Sequence, residues 1–365
     1  MATTNSERER RVNSQFHATQ SSPVADASGS LKNSFDSAHR IMNPELEEIR
    51  SPREKAIGAR RAALETRVMK MVGASVERAS WAHCRRLGSR LGLTFFAMGR
   101  KRRELAISNI QMALGLSREE AMRVARRSSQ NWGMTTCEFL HLPAASSQQI
   151  RDYSTVEGME HLRAAHALGR GVIVLMAHLG NWEITAARLA QEFPTSAIVR
   201  PLSNAAAQNH MSNIRRGTGY KLISKYGAGR PAAKSLRSGE LLILLPDRHA
   251  GDEGILLPLF GRETRFESSP ARLALLNNSP IVPVMGVRRE PWNENERIDI
   301  RIFPAFEVTA ASREDRENAV IEGTRQVIAS LETMIRAHPD QWSWMLRRWR
   351  KSDIGESDLR DDTAT

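Results

Sequence analysis

Two textures of apolar and polar positions divide the chain. Between about residues 56 and 150, apolar residues recur at helical spacing, as in Lys101-Arg-Arg-Glu-Leu-Ala-Ile-Ser-Asn-Ile-Gln-Met-Ala-Leu114. Ser117-Arg-Glu-Glu120 has the spacing of a capping box, and Ala121–Phe139 continues as its helix. From about 168 the texture changes to short β-rich runs separated by helix-length segments. The runs are Gly171–Met176, Ser196–Val199, Leu241–Leu245, Ile281–Val287 and Ile298–Phe303. The unbroken apolar run Gly171–Met176 reads as a buried parallel strand. The intervening helices fall at 184–193, 205–216, 230–238 and 270–278, and a final one at 312–337 stops at His338-Pro339. The alternation predicts an α/β fold, with a mostly parallel central sheet flanked by helices and a helical N-terminal region. Residues 1–55 are polar and charged and read as a disordered tail. The expected divisions are 1–55, 56–150 (helical), 151–351 (α/β core) and 352–365 (an acidic tail).

Charge adds a partner class. The formal net charge is +12 over 365 residues. The segment Ser352–Thr365 holds five acids and one base, a net of −4, which leaves +16 on the rest. Such a body attracts polyanions: nucleic acid, an anionic membrane or phosphorylated small molecules. Two cysteines, Cys84 and Cys137, have neither disulfide-framework nor metal-ligand spacing, so no metal site is expected. No run approaches the ~20 apolar residues that span a bilayer, and there is no signal-peptide core. The expectation is a protein that lies on a membrane if it meets one.

The candidate chemistry sits where strands end. The apolar run to Met176 opens directly into Ala177-His178-Leu-Gly180-Asn181-Trp-Glu183. Ligands of open α/β sheets bind at carboxyl strand ends. If His178 precedes the helix and Glu183 lies in its first turn, the histidine can fold over the helix start, with Gly180 permitting the turn. Glu183 would then accept the Nδ1 proton and leave Nε2 to take one from a hydroxyl. The alternative is a capping carboxylate beside a hydrogen-bonded structural histidine. Arg200-Pro201 and Asp247-Arg248-His249 close two further runs, and an arginine there suits a phosphate or an oxyanion. Either could instead be a surface ion pair. Pro258–Arg265 reads as a turn and a basic loop. Trp342–Lys351 interleaves aromatics with bases, which suits nucleic acid or a membrane interface, or else a helix with Trp344 and Met345 inward. Walker A, G-x-G-x-x-G, H-E-x-x-H and G-x-S-x-G are all absent.

Taken in order, these segments resemble the bacterial lauroyl/myristoyl lipid A acyltransferases and the related phosphatidylinositol mannoside acyltransferases. Both belong to the lysophospholipid acyltransferase group, whose signature is H-x4-D/E. The likeness runs from about 100 to 350: Ile107-Ser-Asn109, Asn131-Trp-Gly133 with Glu138, Gly158 and Glu160, His178-x4-Glu183, Arg200-Pro201, Asp247, Pro258-Leu-Phe260-Gly261, and His338-Pro-Asp-Gln341-Trp342-Ser-Trp344 with Arg347-Arg348. It departs at Arg248, where glutamine is usual, at Ser269, where glycine is usual, and in showing no apolar anchor helix. The resemblance implies an O-acyltransferase that moves a fatty acyl group from acyl-carrier protein or acyl-CoA to a hydroxyl of a lipid or glycolipid, with no cofactor. It implies His178 as general base with Glu183 orienting it. Arg200 would bind acceptor phosphate or the oxyanion, Asp247 would support the acceptor or the arginine, and Gly180 and Asn181 would shape the loop around the carbonyl. It also implies a peripheral place on the cytoplasmic face of a bacterial inner membrane. The competing class is a non-catalytic basic protein that binds membrane or nucleic acid on the same scaffold.

Overall fold

The computed structural model describes residues 59–289, 297–350 and 353. The polar tail expected at 1–55 and nearly all of the acidic tail at 352–365 lie outside the described residues. The helical N-terminal region consists of α1 (Ala59–Glu77), α2 (Trp81–Met98), α3 (Arg100–Leu114), α4 (Arg118–His141) and the short α5 (Ser147–Asp152). α4 starts at Ser117 with the full capping box: Ser117 and Glu120 each bond the other's backbone N–H. α2 and α4 cross closely at Gly88 and Gly133. A Cβ on Gly133 would stand 2.1 Å from the Gly88 carbonyl oxygen. No helix of the described residues is long and apolar enough to cross a membrane.

The sheet is built from β1 (Ser154–Glu157), β2 (Val172–Leu175), β3 (Thr195–Val199), β4 (Lys221–Ser224), β5 (Leu241–Leu244), β8 (Ile281–Arg288) and β9 (Ile298–Ile302). Their order is β1-β9-β8-β2-β5-β3-β4. Every pairing is parallel except β8 with β9. The connecting helices are α6 (Met159–Ala167), α7 (Trp182–Ala190), α8 (Ala205–Gly217), α9 (Gly229–Arg237), α10 (Ser269–Asn277) and α11 (Arg316–Ala337). An antiparallel hairpin, β6 (Ile255–Leu259) and β7 (Arg262–Phe266), stands apart from the main sheet.

The central strands β2 and β5 are apolar throughout because both faces are covered. Ile173 and Leu175 of β2 pack with Leu242 and Leu244 of β5 in a core that includes α9, α10 and α11. Val172, Val174, Leu241 and Ile243 point to the opposite core, under α7 and the end of α4. The period-2 alternation of side chains thus fills two cores from one run.

The segment expected to be a turn and basic loop, Pro258–Arg265, is mostly strand. Leu257, Leu259 and Phe266 turn inward to the first core, while Arg262 and Glu263 stay outside. Phe260 and Gly261 make the turn, both at positive φ. Of the helix expected at Trp342–Lys351, the described part, Trp342–Arg350, is instead irregular chain after a short turn at Pro339–Gln341.

Candidate active site

β2 and β5 are parallel neighbours with Leu175 opposite Leu244, so the chain leaves both strands side by side. That register brings together residues far apart in sequence. His178 Nδ1 lies 2.7 Å from Asp247 Oδ1, and the His178 backbone N–H donates to Asp247 Oδ2 at 2.8 Å. Trp342 Nε1 donates to the same Oδ2 at 2.8 Å. The Asp247 side chain is 2% exposed and that of His178 is 23% exposed, so the pair opens to solvent through the imidazole. Burial alone would push the Asp247 carboxyl up. The His178 charge and these hydrogen bonds outweigh it and hold the group at about 2. A neutral imidazole therefore carries its proton on Nδ1, and Nε2 has no hydrogen-bond partner among the described residues.

The sequence placed Glu183 in this role, and the geometry corrects it. Asn181 is the N-cap of α7, and Glu183 lies in the first helical turn. Its carboxylate turns toward the end of α8. Arg215 binds it through Nε at 3.1 Å and Nη2 at 2.5 Å, Tyr220 Oη lies at 3.2 Å and Trp182 Nε1 at 3.1 Å. Burial acts to raise this carboxyl, but the Arg215 charge prevails and its pKa falls below the usual range. A desolvated carboxylate takes the cation within reach, which leaves it no bond to the histidine. Trp182 touches both groups, its ring edge-on to His178 at 5.2 Å between centroids.

The loop between histidine and helix is held from behind. Gly180 has φ +60°, and a Cβ there would stand 1.9 Å from the Gly286 carbonyl oxygen. Its N–H donates to Gln341 O, and its carbonyl accepts from Asn131 Nδ2 and Thr135 Oγ1. Asn181 is fully buried. Its N–H donates to Gly286 O at 2.7 Å, its Oδ1 caps Ile184 N–H, and its Nδ2 donates to Glu138 at 2.6 Å. Both residues shape the loop, but neither N–H is left to bind a substrate carbonyl. Behind them Glu138 pairs with Arg288 and accepts from Tyr153 Oη at 2.5 Å. Arg288 also donates to Asn131 Oδ1 at 2.8 Å. The sequence reading missed Arg288, Arg215 and Tyr220. Arg288 closes an apolar run, the same signal that singled out Arg200.

Arg200 follows β3, the neighbour of β5 on the side away from β2, and is exposed. His178, Asp247 and Arg200 therefore leave three successive strands at one edge of the sheet. The C-terminal aromatics are structural: Trp342 and Trp344 are 3% and 0% exposed and pack edge to face at 4.6 Å. They offer no stacking platform to a nucleic acid, which removes one of the two sequence features that favoured that reading and leaves the basic charge. Of the neighbouring bases, Arg347 and Arg350 are exposed, whereas Arg348 is buried with its guanidinium 3.8 Å from the Phe266 ring centroid.

The chain is similar in sequence to known proteins. Residues 69–351 match the family described as bacterial lipid A biosynthesis acyltransferase. The phosphatidylinositol mannoside acyltransferase of Mycobacterium tuberculosis H37Rv is 24% identical over 237 residues, 63% of this chain and 71% of that protein. The lipid A biosynthesis palmitoleoyltransferase of Escherichia coli K12 is 23% identical over 276 residues, 75% of this chain and 87% of that protein. The lipid A biosynthesis lauroyltransferase of the same strain is 22% identical over 273 residues, 74% and 86% of the two chains.

Proposed function

The chain belongs to the bacterial lipid A biosynthesis acyltransferase family, and from that membership we propose that His178 is the general base of a fatty acyl transfer from a thioester to a lipid-borne hydroxyl. The enzyme is an O-acyltransferase of the lipid A and phosphatidylinositol mannoside type. One observation carries the residue assignment: Nδ1 of His178 is engaged by buried Asp247, while Nε2 has no hydrogen-bond partner among the described residues and the imidazole is 23% exposed.

Nε2 accepts the proton of the acceptor hydroxyl as its oxygen attacks the thioester carbonyl. Asp247 keeps the ring in the right tautomer and stabilises the imidazolium that forms. The tetrahedral intermediate collapses with cleavage of the C–S bond, and the imidazolium returns its proton to the departing thiolate. No acyl-enzyme is required, because the two substrates react directly once aligned. Glu183 has a supporting role: with Arg215 and Tyr220 it fixes the start of α7 beside the histidine.

Arg200, exposed where the chain leaves β3, binds the acceptor phosphate or the oxyanion in this reading. The donor is an acyl-carrier-protein or coenzyme A thioester, and no other cofactor enters the reaction. The surplus of basic residues suits an acidic carrier protein and an anionic membrane surface, read as the cytoplasmic face of an inner membrane. The test is transfer of label from radioactive acyl-carrier protein and acyl-CoA into a lipid extract, with His178→Ala beside the wild type. Undiminished transfer by the variant would remove His178 from the mechanism.

A further inference from the structure

α1 carries two apolar stripes, and the fold uses only one. Met69, Val72 and Val76 face inward against the core beside α4. Leu64, Val68 and Met71 recur at i, i+4 and i+7 and are 63%, 50% and 72% exposed. At about 100° per residue this second stripe is turned roughly a third of a revolution from the first. Arg60 and Arg67 run along its flank and are exposed, and Arg78, also exposed, follows the last residue of the helix. Large apolar side chains left in water at regular spacing beside cations are the pattern of a helix that lies in a lipid interface.

The position of this helix relative to the site gives the stripe a use. Asn204, the N-cap of α8, donates through Nδ2 to the Ala62 carbonyl of α1 at 3.1 Å. Asn204 directly follows Arg200-Pro201-Leu202-Ser203, the chain that leaves β3 at the edge shared by His178 and Asp247. Leu202 is itself 45% exposed. The apolar stripe is thereby tied to the rim of the candidate active site, and exposed Arg200 lies between them in the chain.

We propose that the Leu64–Val68–Met71 stripe of α1, with Leu202, is the surface by which this protein docks on an anionic bilayer, and that docking brings lipid acceptors to the Arg200 rim. Charge complementarity selects the occupant. The flank of the stripe is basic and the chain as a whole carries +12, so an anionic lipid surface is favoured over a second copy of the chain. The delivery of acceptors rests on the acyltransferase reading; the docking itself does not.

Two readouts on the full-length protein separate these claims. The first is sedimentation at low salt with vesicles of phosphatidylglycerol and phosphatidylethanolamine, against vesicles of phosphatidylcholine alone. Wild type should pellet with the anionic vesicles. Leu64→Asp/Met71→Asp should partition at least about tenfold more weakly, and Arg67→Glu should lose most of the anionic preference. The second is thioester turnover with a short-chain acceptor dispersed as monomers, which these variants should support at the wild-type rate while losing turnover of acceptor embedded in vesicles. Because the substituted side chains are exposed, unchanged circular dichroism is expected. Two results would overturn the docking surface: equal sedimentation of wild type and the Asp variant, or conversion of a dimer to a monomer by that variant. Loss of turnover on both kinds of acceptor with sedimentation intact would count against the acyl-transfer reading alone.

Discussion

Asp247 holds His178 twice, through the imidazole Nδ1 at 2.7 Å and through the backbone N–H at 2.8 Å. One carboxylate thus fixes both the ring and the strand end that carries it. Asp247→Asn keeps the shape but reverses the hydrogen bond to Nδ1, which favours the wrong tautomer. Turnover should fall by roughly 10²- to 10⁴-fold, as for other histidines deprived of their carboxylate. KM for the acceptor should change little. Steady-state kinetics check this, and an Asn variant within a factor of three of wild type would break the pairing as a catalytic unit.

Glu183→Gln should act differently. It leaves Arg215, 17% exposed at its side chain, without its carboxylate. Breaking a buried pair costs about 3–5 kcal/mol, so the melting temperature should drop sharply. Arg215→Met combined with Glu183→Gln should recover part of the loss, and the coupling energy of that cycle measures the pair. A Gln variant that melts with the wild type but has lost turnover would return Glu183 to the proton transfer itself.

Three groups predict how stability responds to acid. His249 is buried, its Nδ1 accepts from the Gly251 N–H and its Nε2 faces Asp353 at 2.6 Å. Burial and the nearby Arg350 and Arg348 charges hold its pKa below the ordinary 6.5. The unfolded chain therefore takes up this proton first, and stability begins to fall once pH drops below about 6.5. Asp247, at about 2 against an ordinary 3.8, contributes ~2 kcal/mol that is present above about pH 4 and lost as pH falls toward 2. Glu183, also depressed, acts in the same direction. Melting temperatures should decline in two stages on acidification. His249→Gln should remove the upper stage alone.

Gly180→Ala tests the loop. The added methyl would meet the Gly286 carbonyl oxygen at 1.9 Å in a backbone with φ +60°, so the loop must shift. A displacement of about 1 Å at the base is enough to cost on the order of 10²-fold in rate. Loss of turnover with soluble, folded protein is the expected result, read from kinetics and circular dichroism together.

The strands most legible in the sequence are those covered on both faces. Val172–Leu175 and Leu241–Leu244 are apolar at every position because each residue meets one core or the other. β4 is a sheet-edge strand, and Lys221 is exposed, so only Leu222 and Ile223 mark it. The β6–β7 hairpin hid behind Pro258 and the outward charges of Arg262 and Glu263. The site shows a different limit. That His178 and Asp247 each close a strand could be read locally, but that β2 and β5 are neighbours could not. Glu183 drew attention because it is near in sequence. Its bond to Arg215 follows from how α7 meets α8, which no local pattern encodes.

The hydrogen bond from Trp342 to Asp247 spans 95 residues. During synthesis, His178 and Asp247 both leave the ribosome well before the indole that steadies their carboxylate. Gln341, whose carbonyl receives the Gly180 N–H, is equally late. An unfinished chain would therefore hold its acid–base pair on an unanchored loop and remain inert toward thioesters. Competence for acyl transfer would then arrive only with translation of the C-terminal aromatic segment.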